Sequence, residues 1–420
     1  MSIDGGVPIP RQTLGLLRER MHDEPVILIE GPRSVGKSTL LRMIAADTRS
    51  SVLDLDDLAT REAVTADPAR FVRDDKPVLI DEYQKAPLVL DAIKAELNTN
   101  GAPGRFLLAG STRYETLPVA AQSLTGRLHT VRIYPLSQTE IEQYEPLLVE
   151  RLYANPTEAV GAPESTTTRE DYIDRIVRGG FPMALQRGAT ARSRWFDDYL
   201  RLRLERDTAE IVRVRQASMM PRLLERLAGQ SAQILNMKKA SEDVGLDAAT
   251  AQNYTKLLEA VFLIQRLPAW HKLQSGRASA SPKVHLVDSG VAARLLRLTP
   301  EKLTRKDPSS LTEFGHLLET FVVGELQRQA SFLDGISAGH WRTYSGEEVD
   351  LVLERDDGAI IAFEVKSGSR VPGGDLRSLR RLRSLAGDSF LAGVVLYLGT
   401  RSYSMEDRMH VMPVDRLWSR

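Results

Sequence analysis

The chain has no cysteine in its 420 residues, which excludes disulfides, thiolate zinc sites and a cysteine nucleophile. It also lacks an excess of either charge: 56 Lys+Arg balance 56 Asp+Glu, so any basic surface for nucleic acid is local. Aromatic residues make up only 6%, and no run reaches the ~18 uninterrupted apolar residues of a membrane-crossing helix. Met1–Pro10 has no charged-then-apolar signal pattern, so the expected location is the cytoplasm. No repeat of solenoid period and no long low-complexity tract are visible. What remains is an ordinary globular composition, 42% hydrophobic and 27% charged, over a length that suggests two to four domains.

The strongest positive signal is Gly31-Pro32-Arg33-Ser34-Val35-Gly36-Lys37-Ser38, a complete G-x-x-x-x-G-K-[ST] string. It follows the apolar run Val26–Ile29 and precedes the helix-like Thr39–Ala46, the strand-to-helix setting in which backbone N–H groups and a helix N-terminus converge on phosphate. Lys37 is expected to reach the β- and γ-phosphates of a nucleotide and Ser38 to hold Mg²⁺. A second strand, Val78–Ile80, runs into Asp81 and Glu82. Asp81 is expected in the Mg²⁺ shell and Glu82 beside the water that attacks the γ-phosphate. A third, Arg105–Ala109, ends in Gly110-Ser111-Thr112-Arg113 and offers Ser111 to the same crevice. Arg127 is a candidate γ-phosphate contact, in its own chain or across a subunit interface. For Arg113 and Arg127 a surface ion pair is an equal reading.

Val26–Ile29, Val52–Leu55, Val78–Ile80, Phe106–Ala109 and His129–Ile133 are short apolar runs separated by helical pattern, which predicts a parallel sheet covered by helices. Ala154–Thr168 reads as a linker or exposed loop. Ten Arg against six acids between Arg187 and Arg226 mark a helical, modestly basic segment. Met237–Asp243, the Gly245-Leu246 turn, an Asp247 cap and Ala248–Val261 predict a helix–turn–helix. Phe262–Pro268 and Lys283–Val287, around Gln274–Ser281, predict a hairpin wing. Gln252, Asn253 and Lys256 on the second helix could meet bases or phosphates.

The C-terminal part predicts a helix over Phe314–Gln329, strands at Trp341–Tyr344, Val349–Leu353 and Ile360–Val365, a helix over Asp375–Leu385 and a strand at Leu391–Leu398. Asp350 and Glu364, on neighbouring strands, would supply oxygen donors for Mg²⁺ or Mn²⁺. Lys366, two residues from Glu364 and on the same strand face, would act on a metal-bound water. Glu319, on the long helix, is a costly carboxylate in an apolar setting without a partner, and is expected to join them. A structural ion pair of Lys366 with Asp350 or Glu319 is the competing reading. Between Lys366 and Arg383, six basic residues face one acid, Asp375. Arg377, Arg380 and Arg381 share a helical face suited to a phosphodiester or merely to solvent.

Gly31–Ser38, Leu79-Ile80-Asp81-Glu82, Gly110-Ser111, Leu124-Thr125-Gly126-Arg127 and Pro135-Leu136-Ser137 together resemble the AAA+-type ATPase domain of a widespread prokaryotic ATP-binding family, over roughly residues 10–145. Glu319, Asp350, Glu364 and Lys366 resemble the PD-(D/E)xK nuclease superfamily, whose fold that family carries at its C-terminus. Gly179-Gly180-Phe181-Pro182, Leu204-Glu205-Arg206-Asp207 and Ser281–Gly290 are similar to its middle region. The resemblance implies an α/β multidomain protein: a P-loop ATPase domain at 1–150, a linker and arginine-rich helical region at 151–228, a winged-helix-like unit at 229–300 and a restriction-endonuclease-like domain at 305–420. It implies ATP and Mg²⁺, with Gly31–Thr39, Asp81, Ser111 and Arg127 at the nucleotide and Ser38, Asp81, Asp350 and Glu364 at metal. Lys37, Glu82, Glu319, Asp350, Glu364 and Lys366 are the expected catalytic residues. DNA is the expected partner, a homo-oligomer is compatible, and no membrane is involved. The alternative is a nucleotide-gated DNA-binding or signalling scaffold with an inactive nuclease fold.

Overall fold

The computed structural model describes residues 9–419, apart from 75, 114–123, 125, 146, 162, 208–216 and 271–280, and without the side chains of 206, 207 and 217. The expected wing, Gln274–Ser281, lies almost wholly outside the described residues, as do the side chains of Arg206 and Asp207.

The N-terminal sheet contains β1 (Val26–Glu30), β2 (Val52–Asp54), β3 (Val78–Asp81), β4 (Phe106–Gly110) and β5 (Leu128–Arg132), in the order β2-β3-β4-β1-β5. Every neighbouring pair is parallel. β1, β3 and β4 are buried along their whole length, which is why their sequences are apolar runs rather than alternations. Parallel strands bring their C-terminal ends to one edge. The loop after β1, the acids after β3 and the hydroxyl after β4 therefore share one crevice.

In the middle region, helices Met237–Val244 and Ala248–Ala260 are joined through Gly245, whose φ of +75° makes the turn. Asp247 caps the second helix by accepting the Thr250 N–H at 2.9 Å. Gln252, Asn253 and Lys256 are all exposed. An antiparallel three-stranded sheet follows, β6 (Gln233–Ile234), β7 (Ile264–Leu267) and β8 (Lys283–Leu286), with β8 central. β6 had no clear sequence signal.

The stretch expected to be an exposed linker is strapped down. Residues Pro156–Val160 are helical, and Ser165 is buried, its N–H donating to the Thr400 carbonyl at 2.7 Å. Ser165 Oγ and Thr167 Oγ1 both donate to Asp415 Oδ2. Pro, Thr and Ser content signalled irregular backbone correctly, but not where its hydrogen bonds would go.

The C-terminal sheet has six strands in the order β13-β14-β12-β11-β10-β9: β9 (Ile336–Arg342), β10 (Glu348–Arg355), β11 (Ile360–Lys366), β12 (Phe390–Tyr397), β13 (Tyr403–Glu406) and β14 (Met409–Pro413). The long helix spans Pro308–Ala330 and starts six residues earlier than expected, capped by Asp307 with Pro308 in its first turn. This helix also braces the ATPase domain: buried Glu325 accepts the Gln138 N–H at 2.8 Å, and Gln329 Oε1 accepts that of Val149 at 3.2 Å. Among the described residues no helix is long and apolar enough to cross a membrane.

Candidate nucleotide site and a buried carboxylate cluster

The loop after β1 folds as its sequence requires. Gly31 lies so close to β5 that an added Cβ would stand 2.2 Å from the Ile133 carbonyl oxygen. Ser34 and Gly36 take φ of +65° and +104°, turning successive N–H groups toward one concavity, a shape that binds anions. The helix Lys37–Thr48 then begins with no side-chain cap, leaving its first N–H groups for a ligand. Lys37 is buried and donates to the carbonyls of Gly31 and Pro32 at 2.9 and 2.8 Å. Burial lowers its ammonium to about 8, against the pull of Glu82, with Arg203 adding to the depression. A desolvated cation hydrogen-bonded to two carbonyls is well matched to incoming phosphate.

Asp81 is buried, which pushes its carboxyl up, while a hydrogen bond from Ser38 works the other way. Ser38 and Asp81 thus stand together, the pair expected to carry Mg²⁺. Glu82 adopts a left-handed backbone, φ +51°. Its Oε2 accepts from Ser111 Oγ at 3.0 Å and from Gln84 Nε2, and its Oε1 lies 3.8 Å from Arg33. Gln84 was not anticipated, since nothing in its sequence position separates it from a helix-surface amide. Arg203 was also missed. It comes from the helical middle region, is 2% exposed, and donates to the carbonyls of Ser111 (3.4 Å) and Val261.

Beside the loop, Ile9, Val35, Gly36, Thr39, Leu136 and Pro182 line a small, mainly apolar pocket. Its far wall explains the Gly179-Gly180-Phe181-Pro182 string. The Gly180 carbonyl accepts the Leu136 N–H at 2.8 Å, and a Cβ on Gly180 would meet the Leu136 oxygen at 2.2 Å. Asp288, fully buried, accepts the N–H of Gly180 at 2.7 Å and those of Gly290 and Val291 at 2.9 and 3.1 Å.

Arg127 is the exception. It immediately precedes β5, whose Leu128 pairs with Val26 at the start of β1. It is therefore five to six strand steps, roughly 17 Å, from the loop at the other end of the sheet. Its guanidinium meets Asn98 at 2.8 Å. A contact with the phosphate of its own chain is excluded, because parallel pairing puts strand starts and strand ends on opposite edges. Replacing Arg127 with Ala is expected to leave nucleotide affinity within about twofold, measured with a fluorescent ATP analogue on dilute protein, as fits a lone exposed polar contact. Arg113 lies 3.5 Å from Glu259 and over the Phe262 ring, a largely buried pair.

The C-terminal acids do converge. The β10–β11 register pairs Leu351 with Phe363, and one further step sets Asp350 opposite Glu364. At their centre stands a residue the sequence had placed elsewhere, Lys283 of β8. Its ammonium lies 2.6 Å from Glu319, 2.5 Å from Glu348 and 2.9 Å from Asp350. Its side chain is 1% exposed. An ammonium has three N–H donors, so each meets one carboxylate. Burial opposes its charge, but Asp350, Glu319 and Glu348 outweigh burial and hold Lys283 well above its ordinary range. Lys366 donates to Glu364 Oε1 at 2.6 Å. Burial, then the negative charge of Asp350, push the Glu364 carboxyl up to about 8.

The expected metal ligands Asp350 and Glu364 thus stand in a network of ion pairs. Glu319, Asp350, Glu364 and Lys366 are neighbours, but Asp350 Oδ1 accepts from Lys283, Asp350 Oδ2 accepts the Val365 N–H at 2.9 Å, and Glu364 Oε1 accepts from Lys366. Among the described residues no group of three or more His, Asp and Glu side chains is arranged to hold a metal. The expected basic face is also largely neutralised: Arg380 and Arg383 pair with Glu406, and Arg377 lies 3.8 Å from Glu347.

Residues 23–142 match the family model described as an AAA domain, and 314–417 match a domain of unknown function, DUF4143. The N-terminal part is an AAA-type P-loop ATPase domain, and residues 314–417 form a DUF4143 domain. Between them, 169–302 match another domain of unknown function, DUF8612. Two relatives, the uncharacterized proteins Rv2008c of Mycobacterium tuberculosis and Mb2031c of Mycobacterium bovis, are each 27% identical over 418 residues, covering 97% of this chain and 84% of theirs. Among solved structures, the Walker-type ATPase paby2304 of Pyrococcus abyssi is 14% identical, with 69% of this chain and 96% of that one covered and a TM-score of 0.41. AMPPCP-bound DnaA from Aquifex aeolicus is 14% identical, with 59% and 87% covered and a TM-score of 0.29.

Proposed function

We propose that this chain hydrolyses ATP with Mg²⁺ at Gly31–Thr39 and that the nucleotide state governs a C-terminal domain that does not cut nucleic acid. The observation that carries the first half is the convergence of Lys37, Ser38, Asp81, Glu82 and Ser111 on one sheet edge. In this reading Lys37 and the loop N–H groups hold phosphate, and Ser38 and Asp81 hold the metal, which supplies charge neutralisation at the phosphates. Glu82 orients and polarises the attacking water, and Ser111 and Gln84 fix its carboxylate. The apolar pocket at Ile9, Leu136 and Pro182 takes the base.

The observation that carries the second half is the Lys283 ammonium seated among the nuclease-like carboxylates, which favours a scaffold or switch. A second reading, a Mg²⁺-dependent nuclease acting on DNA, draws on the pairing of Asp350 with Glu364 and on exposed Arg377 and Arg381. Plasmid and single-stranded DNA incubated with wild type and Glu364→Ala, with ATP and with Mg²⁺ or Mn²⁺, distinguish them. Neither protein is expected to cut. Cleavage by wild type that Glu364→Ala abolishes would install the nuclease reading instead. The exposed Gln252, Asn253 and Lys256 make the helix–turn–helix the first place to look for salt-dependent DNA binding.

A further inference from the structure

We propose that Lys283 is a built-in cation that keeps divalent metal out of the C-terminal carboxylates, and that withdrawing its ammonium turns the same cluster into a divalent-cation site. The inference rests on the non-cleaving reading of this domain and specifies its cause.

Four carboxylates, those of Glu319, Glu348, Asp350 and Glu364, meet three cations, Lys283, Lys366 and Arg342, the last 2.9 Å from Glu348. The carboxylates outnumber the cations by one, and one carboxylate oxygen is left over: Glu364 is only 8% exposed, and its buried Oε2 has no hydrogen-bond partner among the described residues. Such an atom in a native interior calls for a missing proton, ion or alternative arrangement. His285 supplies an independent sign. It follows Lys283 by two residues on β8 and shares its strand face. It is 2% exposed, and both its ring nitrogens are buried without a hydrogen-bond partner among the described residues. Glu364, opposite Asp350, and His285, on the Lys283 face of β8, thus each keep a buried polar atom of the type that hard and borderline divalent ions accept.

Geometry makes the two occupants exclusive. The ammonium sits between Glu319, Glu348 and Asp350, where a metal sharing those oxygens would have to be. A divalent ion 2.0–2.2 Å from the same oxygens would face Lys283 across a few ångströms with nothing between them. The occupant also decides what the domain is tied to. While Lys283 is in place, its strand joins the three-stranded sheet to the six-stranded one. That strand leads directly to Asp288, the clamp on the wall of the base pocket.

The test is Mn²⁺ binding to the nucleotide-free full chain, by isothermal titration calorimetry and electron paramagnetic resonance. Wild type, Lys283→Met and Lys283→Met/Asp350→Asn are compared. Lys283→Met is expected to gain one Mn²⁺ site at least about tenfold tighter than any in wild type, and the double variant to lose it. Equal binding by wild type and Lys283→Met, or a gained site that survives Asp350→Asn, overturns the proposal. Because Lys283→Met leaves carboxylates unpaired, its thermal unfolding is followed with and without Mn²⁺. A metal-dependent rise of about 5 °C or more in Lys283→Met, absent from the double variant, is expected, as for any ligand that binds only the folded state. No rise in a folded Lys283→Met, or no recovery of an unfolded one by Mn²⁺, also counts against it. Cleavage of DNA by wild type would remove the non-cleaving reading on its own, since the readout here is metal occupancy.

Discussion

Glu82→Gln is expected to retain nucleotide binding and to lose ATP turnover by about two orders of magnitude or more. The amide keeps the size and can still accept from Ser111 and Gln84, so the crevice should not collapse. What it loses is the negative charge that polarises water, and removing such a group typically costs ~10²–10⁴-fold. Lys37→Ala should fail earlier, at binding. The buried ammonium held by the Gly31 and Pro32 carbonyls is the fixed positive charge for phosphate, and an alanine leaves those carbonyls facing the ligand. Turnover measured by phosphate release, beside affinity for a fluorescent ATP analogue, separates the two. Binding lost in Glu82→Gln, or turnover kept in Lys37→Ala, would contradict the roles assigned to them.

Asp288→Ala is expected to lower stability by roughly 3–6 kcal/mol, because three buried N–H donors lose their acceptor at about 1–3 kcal/mol each and rearrangement recovers part of the loss. Gly180, Gly290 and Val291 are those donors, and the last two open the helix Ser289–Leu295, so its cap is lost as well. The effect should reach the nucleotide. Gly180 also bonds to Leu136, and Leu136 and Pro182 line the apolar pocket beside the phosphate loop, proposed above to take the base. A denaturant titration gives the stability change, and ATP affinity measured well below the transition gives the second. A loss under about 1 kcal/mol would mean that the clamp seen at Asp288 contributes little.

The physics of parallel sheets made much of the ATPase domain legible. Strands buried on both faces must be apolar runs, and Val26–Glu30, Val78–Asp81 and Phe106–Gly110 could be placed within a residue at either end. Edge strands carry a weaker pattern. β9 begins at Ile336 rather than Trp341, because Ser337, Ala338 and Gly339 give an outer strand no apolar alternation to read. β13 was missed for the same reason, since Tyr403–Glu406 is short and exposed or half-buried, whereas β14 is an inner buried strand missed because Met409–Pro413 is short and ends in proline. Arg127 shows a different limit. Its motif suggested a phosphate contact, but which end of a strand a residue occupies depends on pairing, and pairing set it against Val26.

The local sequence settled whatever local backbone chemistry can settle. Examples are the phosphate loop with its glycines, the acids closing β3, the Asp247 cap, and a face of β8 carrying Lys283 and His285. Alternation alone would assign that face to solvent. Tertiary structure put it instead against Glu319, Glu348 and Asp350, residues 36 to 67 positions away. A charged side chain goes inside only where distant partners offset its desolvation, and those partners are not written in its own neighbourhood.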